Sequence, residues 1–403
     1  MATTIETRCC VAGGGPAGLM LGLLLARAGV DVVVLEKHAD FLRDFRGDTI
    51  HPSTMQIMDE LGLLDAFLKL PHQPVPRLIA QFGDTPVSMA DFSGLPVRAP
   101  FIAMMPQWDF LNFIAGYAKA YPNFQLLMQS EAIDIVREGD RIAGVVVRRP
   151  DGPFQVRARV TIAADGRDST LRRATGLIVE DFGAPIDVLW FRLSRQTHDT
   201  DQTQARFDSG RIVIALNRVD YWQCAFVVAK GANEQVRAAG LPAFRDRVRA
   251  SLPIDATRVD EIRDWDQVKL LVVQVNRLKR WWTPGLLCIG DAAHAMSPVG
   301  GVGVNLAVQD AVATANEIAA ALREDTLRDQ HLAAVQRRRE FPTRVTQRLQ
   351  LVVQNRIIAA ALAEKGTLKP PLALRLIAAT PGLRHLPARL IGLGVRPEHV
   401  RMA

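Results

Sequence analysis

Only four cysteines occur in 403 residues and no two form a CxxC pair, which argues against a disulfide scaffold or a thiolate metal site. Three of the four (Cys9, Cys10, Cys224 and Cys288) lie in apolar, strand-like runs, so buried, reduced core residues are expected and no metal ligand is assigned. No apolar run reaches the roughly 18 residues of a membrane span. The start, Met1 to Arg8, lacks the charged and then apolar pattern of a signal segment, so a folded cytoplasmic protein is expected. Aromatic residues make up 6%, and the Lys and Arg residues behind the net charge of +7 are scattered without aromatics between them, a pattern unlike a nucleic-acid surface. Anionic cofactors and substrates are the better match for that charge. A second glycine-rich dinucleotide signature is also missing, which excludes the paired dinucleotide domains of disulfide reductases. With 48% hydrophobic and 23% charged residues, the chain can bury two packed domains or one large α/β domain with an insert.

What is present begins with a strand, a glycine turn and a helix. Residues 8–12 form a short apolar run, Gly13, Gly15 and Gly18 follow, and residues 19–28 read as a helix ended by Gly29. Residues 30–35 supply a second buried strand ending in Glu36, where an acid that binds a ribose belongs, with Lys37 beside it. Gly13 permits the tight turn, Gly15 lets backbone N–H groups approach a pyrophosphate, and Gly18 allows close helix packing next to Pro16 and Ala17. The implied ligand is a dinucleotide. Residues 141–149 and 154–162 alternate about Pro150-Asp151-Gly152 as an antiparallel hairpin. The second arm continues as a buried strand to Asp165-Gly166, at the carboxyl edge where open α/β sheets bind ligands. From about 185 to 275 the texture changes to short alternating strands at 188–193, 203–208, 211–216, 221–228 and 268–275, with one helix at 242–251. Residues 285–289 return as a strand to Gly290-Asp291, and residues 306–322 form a small-residue helix.

In order and separation, Gly13-Gly14-Gly15-Pro16-Ala17-Gly18, Ala164-Asp165-Gly166-Arg167 and Gly290-Asp291-Ala292-Ala293-His294 resemble the flavoprotein aromatic hydroxylases, the para-hydroxybenzoate hydroxylase-like FAD monooxygenases, through about Ala321. The resemblance implies an α/β fold: a Rossmann-like FAD-binding domain of the GR2 type (1–80, 100–184, 276–335), an inserted antiparallel β-sheet substrate domain (81–99, 185–275) and a helical C-terminal region (336–403). It implies FAD as cofactor, NADH or NADPH as co-substrate, and a C4a-hydroperoxyflavin whose distal oxygen hydroxylates an aromatic or polyketide-like small molecule. It assigns Arg46 and Gln107 to flavin contacts and Asp291, beside Gly290, to the ribityl or ribose chain. Pro298, Gly301, Gly303, Val304 and Asn305 are expected along the flavin ring, at a helix N-terminus that stabilises negative charge on it. His51 and His72 border the flavin as candidate proton relays, and His294 is expected to make a structural hydrogen bond. Residues 53–64 are expected as a helix capped by Ser53.

Trp190, Arg192, Arg206, Tyr221, Trp222 and Gln223 are pocket candidates, because strand residues of one parity share a face. His51, Pro298, Arg192 and Trp222 form the expected catalytic set. Core packing is the plainer role for the tryptophans and a solvated strand charge for the arginines; an inward Arg192 or Arg206 instead meets a carboxylate or phenolate substrate. The arginine-rich 336–348 and then 349–363 read as two long helices, and beyond Gly366 lies a basic, leucine-rich, proline-broken end. That end is expected to cap the pocket or to pack against a second subunit of a homodimer. The thioredoxin-like domain of larger phenol hydroxylases is not found. Three other readings stay open: a membrane-associated quinone-biosynthesis hydroxylase, a non-oxygenating flavin reductase of isoprenoid type, and a flavin-carrying binding protein. The halogenase signature GWxWxIP is absent, since Trp281-Trp282-Thr283-Pro284 does not match it.

Overall fold

The computed structural model describes residues 4–42, 49–200, 202–252, 254–363 and 369–401. The chain opens with β1 (Thr4–Ala12), α1 (Pro16–Arg27), β2 (Val32–Leu35) and α2 (Pro52–Glu60). Next come β3 (Arg77–Phe82), β4 (Thr85–Asp91), α3 (Gln107–Ala118), β5 (Phe124–Leu127), β6 (Glu131–Glu138), β7 (Arg141–Arg148) and β8 (Phe154–Ala163). After the short α4 (Thr170–Thr175) follow β9 (Ile186–Ser194), β10 (Gln204–Asp208), β11 (Arg211–Asn217), β12 (Tyr221–Ala229), α5 (Leu241–Arg249) and β13 (Lys269–Leu271). Then come β14 (Leu286–Cys288), α6 (Gly303–Arg323), α7 (Asp329–Val353) and α8 (His385–Gly392).

Strands β14, β8, β1, β2 and β5 lie side by side and parallel, with Cys10 opposite Thr161 and Ala12 opposite both Ala163 and Leu35. Strands buried on both faces read as continuous apolar runs, as Val32 to Leu35 do. Strand β8 serves two partners along one edge: its first residues pair with β7 as the expected hairpin, Val147 opposite Phe154, and its last pair with β14. The cysteines are free and buried.

The second sheet runs β13-β9-β12-β11-β10-β3-β4 and is antiparallel except where β10 meets β3. It enlists the chain from Arg77, ahead of the expected residue 81, because Phe82 stacks on Phe207 with ring centroids 4.7 Å apart. The strand expected at 268–275 is confined to Lys269–Leu271, since Val273 N–H turns to the Asp187 carboxylate.

Three expectations at helix ends are corrected. Helix α2 is capped at His51, with Pro52 in its first turn, and Ser53 lies inside it. The Asn305 side chain ties the start of α2 to α6, accepting from His51 N–H at 3.0 Å and from the Thr54 hydroxyl at 2.6 Å. Helix α6 starts at Gly303, three residues before residue 306. The two tail helices expected to meet near 348 are one, α7, which runs through Pro342 and across residue 336. Near its C-terminal end the buried Gln347 and Gln350 are bonded to the segment before α6. No helix of the described residues is long and apolar enough to cross a membrane.

Candidate active site

The turn from β1 into α1 leaves room for a ligand at one glycine and none at its neighbours. Gly13 sits at φ +111°, where a Cβ would stand 2.2 Å from the Ala164 carbonyl oxygen, and a Cβ on Gly18 would stand 1.9 Å from that of Gly13. Nothing lies within 4 Å of a Cβ on Gly15. Gly15 caps α1 without a side-chain acceptor and Pro16 occupies the first turn, so the helix N-terminus presents its backbone N–H groups to that space. The buried Glu36 carboxylate closes the site at the end of β2, accepting from Gly14 N–H at 3.1 Å and His38 N–H at 3.0 Å. Lys37 is exposed beside it. This cradle fits the pyrophosphate and ribose of a dinucleotide. Arg46 lies outside the described residues.

A second group of residues converges where β8 and β14 end. Asp291 accepts from Arg167 Nε at 2.9 Å, which joins the second and third sequence stretches directly. Asp165 turns inward, accepting from the Ser169 hydroxyl at 2.5 Å and Leu171 N–H at 3.2 Å, and burial raises its pKa despite these bonds. Its carboxylate therefore shapes the turn, while Gly166 (φ +88°) has open space where a side chain would project. Gly290, also left-handed at φ +59°, packs against Ala17 and Ala307, and its N–H is bonded to Asp310 at 3.0 Å. His294 makes the expected structural bond, donating from Nε2 to Asp310 at 2.6 Å.

The segment from Met296 to Asn305 is held from two sides. Thr49 donates its hydroxyl to the Gly301 carbonyl at 2.8 Å, at a point where any side chain on Gly301 would meet it. From the other side α7 and the turn that continues it supply three glutamines: Gln347 bonds the Ala295 carbonyl, Gln350 the Ser297 and Val299 carbonyls, and Gln354, just past α7, the Ser297 hydroxyl. The result is a fixed loop, Pro298 to Val302, delivering the N-terminus of α6 at Gly303, where a Cβ would again meet nothing within 4 Å. Val304 and Asn305 are buried in its first turn. His51 lies under this loop and donates from Nδ1 to the Ile391 carbonyl of α8 at 2.8 Å. Burial lowers its pKa to about 4, against that bond, so the ring is neutral at neutral pH. His72 is spent on the Leu70 carbonyl and stacks on Phe101, while half-buried Gln107 opens α3.

The register of the second sheet divides the pocket candidates. Arg192 pairs with Gln223 and Trp190 with Ala225, so Trp190, Arg192, Tyr221 and Gln223 share one face. That face carries the cluster of Val188, Ile212, Ala225 and Val227, on which both Trp190 and Val299 of the glycine loop pack. The Arg192 guanidinium stands 4.5 Å from the centre of the Tyr221 ring. Trp222 and Arg206 lie on the other face, a correction to the expected set. Trp222 is fully buried among Phe191, Phe226 and Phe244 and donates to Asp199 at 3.1 Å. Hydrogen bonding from Arg258 holds that aspartate well below the usual carboxylate range. Arg206 is paired with Asp208 at 2.8 Å.

The sequence reading left out Arg167, Asp310, Arg339 and the α7 glutamines. Arg167 stands inside a quoted stretch, but the others lie on helices whose pattern carries no local signal of their partners. Compared with known proteins, residues 6–349 match the FAD binding domain family. The chain is 32% identical over 403 residues to 6-methylpretetramide 4-monooxygenase of Streptomyces rimosus, covering 98% of this chain and 94% of that protein. It is 25% identical to para-nitrophenol 4-monooxygenase of Pseudomonas sp. (strain WBC-3), covering 78% of each. The crystal structure of p-nitrophenol 4-monooxygenase from Pseudomonas putida DLL-E4 superposes with a TM-score of 0.76 at 22% identity, over 96% of this chain and 94% of that one. The chain therefore belongs to the FAD binding domain family and is a FAD-dependent monooxygenase.

Proposed function

We propose that this chain hydroxylates an aromatic compound of polyketide type, with NADH or NADPH supplying two electrons. One oxygen atom of O2 converts a ring C–H into C–OH and the other leaves as water, so the reaction balances without a further oxidant. Bound FAD, once reduced by the nicotinamide, supplies the activation of dioxygen. The observation that carries the reading is the meeting of the Trp190, Arg192, Tyr221 and Gln223 face with Val299 of the glycine loop. An aromatic ring held against that face lies beside the loop assigned to the flavin. The similarity to 6-methylpretetramide 4-monooxygenase over nearly the whole of both chains supports the substrate class.

The roles proposed for this chain's residues follow from their places. Gly13, Gly15, Pro16, Ala17 and Gly18 hold the pyrophosphate, Glu36 and Lys37 the adenosine ribose, and Asp165-Gly166 shapes the turn beside Asp291. Asp291 holds the ribityl hydroxyls, with Arg46 and Gln107 as further flavin contacts. Pro298 to Asn305 exclude water from one side of the ring and turn helix N–H groups toward it. Arg192 orients an anionic group of the substrate, and His51 exchanges protons only through Nε2. The test is dioxygen uptake with NADH and NADPH, with and without phenolic and polyketide aromatics. Uptake stimulated by an aromatic together with hydroxylated product is expected; NAD(P)H oxidation without O2 uptake favours the reductase reading instead.

A further inference from the structure

We infer that Glu398, near the C-terminus, is a positioning residue for the FAD site, acting through Arg339 and Asp310 on the backbone N–H of Gly290. The connection is a line of buried charges. The Glu398 carboxylate, 4% exposed, accepts from Arg339 Nη1 at 3.3 Å and from Arg338 Nε at 2.7 Å. Arg339, fully buried within α7, donates from Nε to Asp310 Oδ1 at 3.0 Å. Asp310 is also fully buried, and its other oxygen takes both Gly290 N–H and His294 Nε2. Burial alone would raise the Asp310 pKa, but His294 and Arg339 outweigh it and hold the carboxylate ionised.

Arg339 is thus a single cation shared between two buried carboxylates. Neutralising Glu398 leaves the whole guanidinium charge to Asp310, in surroundings where an altered ion pair is not screened by water. Asp310 is then pulled toward Arg339 and away from Gly290, whose left-handed backbone sets the direction of Asp291. The tail itself stays anchored on both sides of Glu398. Ile391 packs on Met296, Val302 and Leu306, and beyond Glu398 the Val400 N–H and Arg401 N–H are bonded to Glu60 and Asn316. A change at Glu398 therefore acts on the Arg339 line without releasing the C-terminal segment. Arg338, a quarter exposed, is the internal control, since it binds the same carboxylate but does not reach Asp310.

The inference rests on assigning Gly290-Asp291 to FAD. The experiment is a fluorescence titration of apoprotein with FAD, alongside the thermal midpoint of the apoprotein and the visible circular dichroism of the bound flavin. Glu398→Gln is expected to raise the FAD Kd roughly five- to twentyfold, the size of a coupling carried through a bonded network. Its bound-flavin dichroism changes, and its apoprotein midpoint falls by a few degrees, because a buried partner of Arg339 is neutralised. Arg338→Ala is expected to leave the Kd within about twofold, and Glu398→Asp, which keeps the charge, to recover most of the affinity. Equal losses in Glu398→Gln and Arg338→Ala, or an unchanged Kd in Glu398→Gln, overturn the proposal. If Glu398→Gln does not fold, Arg339→Lys, which keeps the cation but cannot reach both Asp310 and Glu398, takes its place beside Arg338→Ala; an unchanged Kd in Arg339→Lys, or an equal loss in the two, overturns the proposal. An unchanged Kd in Asp291→Ala, with normal wild-type binding, instead removes the segment from the FAD site and the proposal with it.

Discussion

Gly13 and Gly15 stand two residues apart and respond to a methyl group in different ways. Gly13→Ala forces an L-residue into left-handed backbone, at about 1–2 kcal/mol, and drives its Cβ into the Ala164 carbonyl. Gly15→Ala meets nothing in the protein, so the apoprotein is expected to keep its stability within about 0.5 kcal/mol while FAD affinity drops more than about tenfold. Urea denaturation of both apoproteins and FAD titration check this; an apoprotein of Gly15→Ala as unstable as Gly13→Ala would show that the space is not a ligand's. The two faces of the second sheet make a similar contrast. Trp222→Ala, which empties a fully buried site, is expected to cost about 3–5 kcal/mol, whereas Arg192→Ala leaves stability nearly unchanged and raises KM for the aromatic substrate. A Trp222→Ala protein with normal stability and raised KM would return that residue to the pocket.

Among the elements, α8 and α2 are joined by the His51 bond to Ile391, and that joint is sensitive to acid. Burial holds the folded pKa at about 4 while the unfolded chain titrates near 6.5, so the unfolded state takes up the proton first as pH falls. This contribution is complete above about pH 6.5 and declines toward pH 4, amounting to about 2 kcal/mol of lost stability at pH 5. Denaturant titrations at pH 7 and pH 5 on wild type and His51→Gln measure it as the difference between the two; an equal pH dependence in both proteins would show that His51 titrates alike in the folded and unfolded chain. Helix α7 shows why its own role escaped the sequence reading. Gln347, Gln350 and Gln354 look like solvated residues of a polar helix, yet each is buried against the carbonyls or hydroxyl of the segment leading into the glycine loop. The pattern of one helix cannot reveal polar partners some fifty residues earlier in the chain.

For the whole molecule, FAD touches segments from β1 to α6 under the proposed assignment, so its binding couples to global folding. FAD at one hundred times its Kd is expected to stabilise the protein by about 2.7 kcal/mol and to raise the thermal midpoint by a few degrees. Differential scanning calorimetry with and without FAD measures the shift, and no shift at saturation would contradict selective binding to the native state. The exposed Leu372, Leu376, Leu383 and Leu386 lie on the same C-terminal segment whose Ile391 packs on the glycine loop. The tail therefore faces both the site and the outside.

Local patterns alone determined the nucleotide-binding turn, the hairpin of β7 and β8, and the alternating strands of the second sheet. Glycine spacing, strand parity and turn residues act over a few positions, and each agrees with the fold it sits in. Tertiary structure decided which parity of β9 and β12 meets the glycine loop, that α2 begins at His51 with Asn305 holding His51 and Thr54, and that Asp165 turns inward. It also decided that Glu398, Arg339 and Asp310 stand in one line behind Gly290. Those outcomes depend on which distant groups must satisfy one another once buried, and burial is a property of the assembled chain, not of any segment of it.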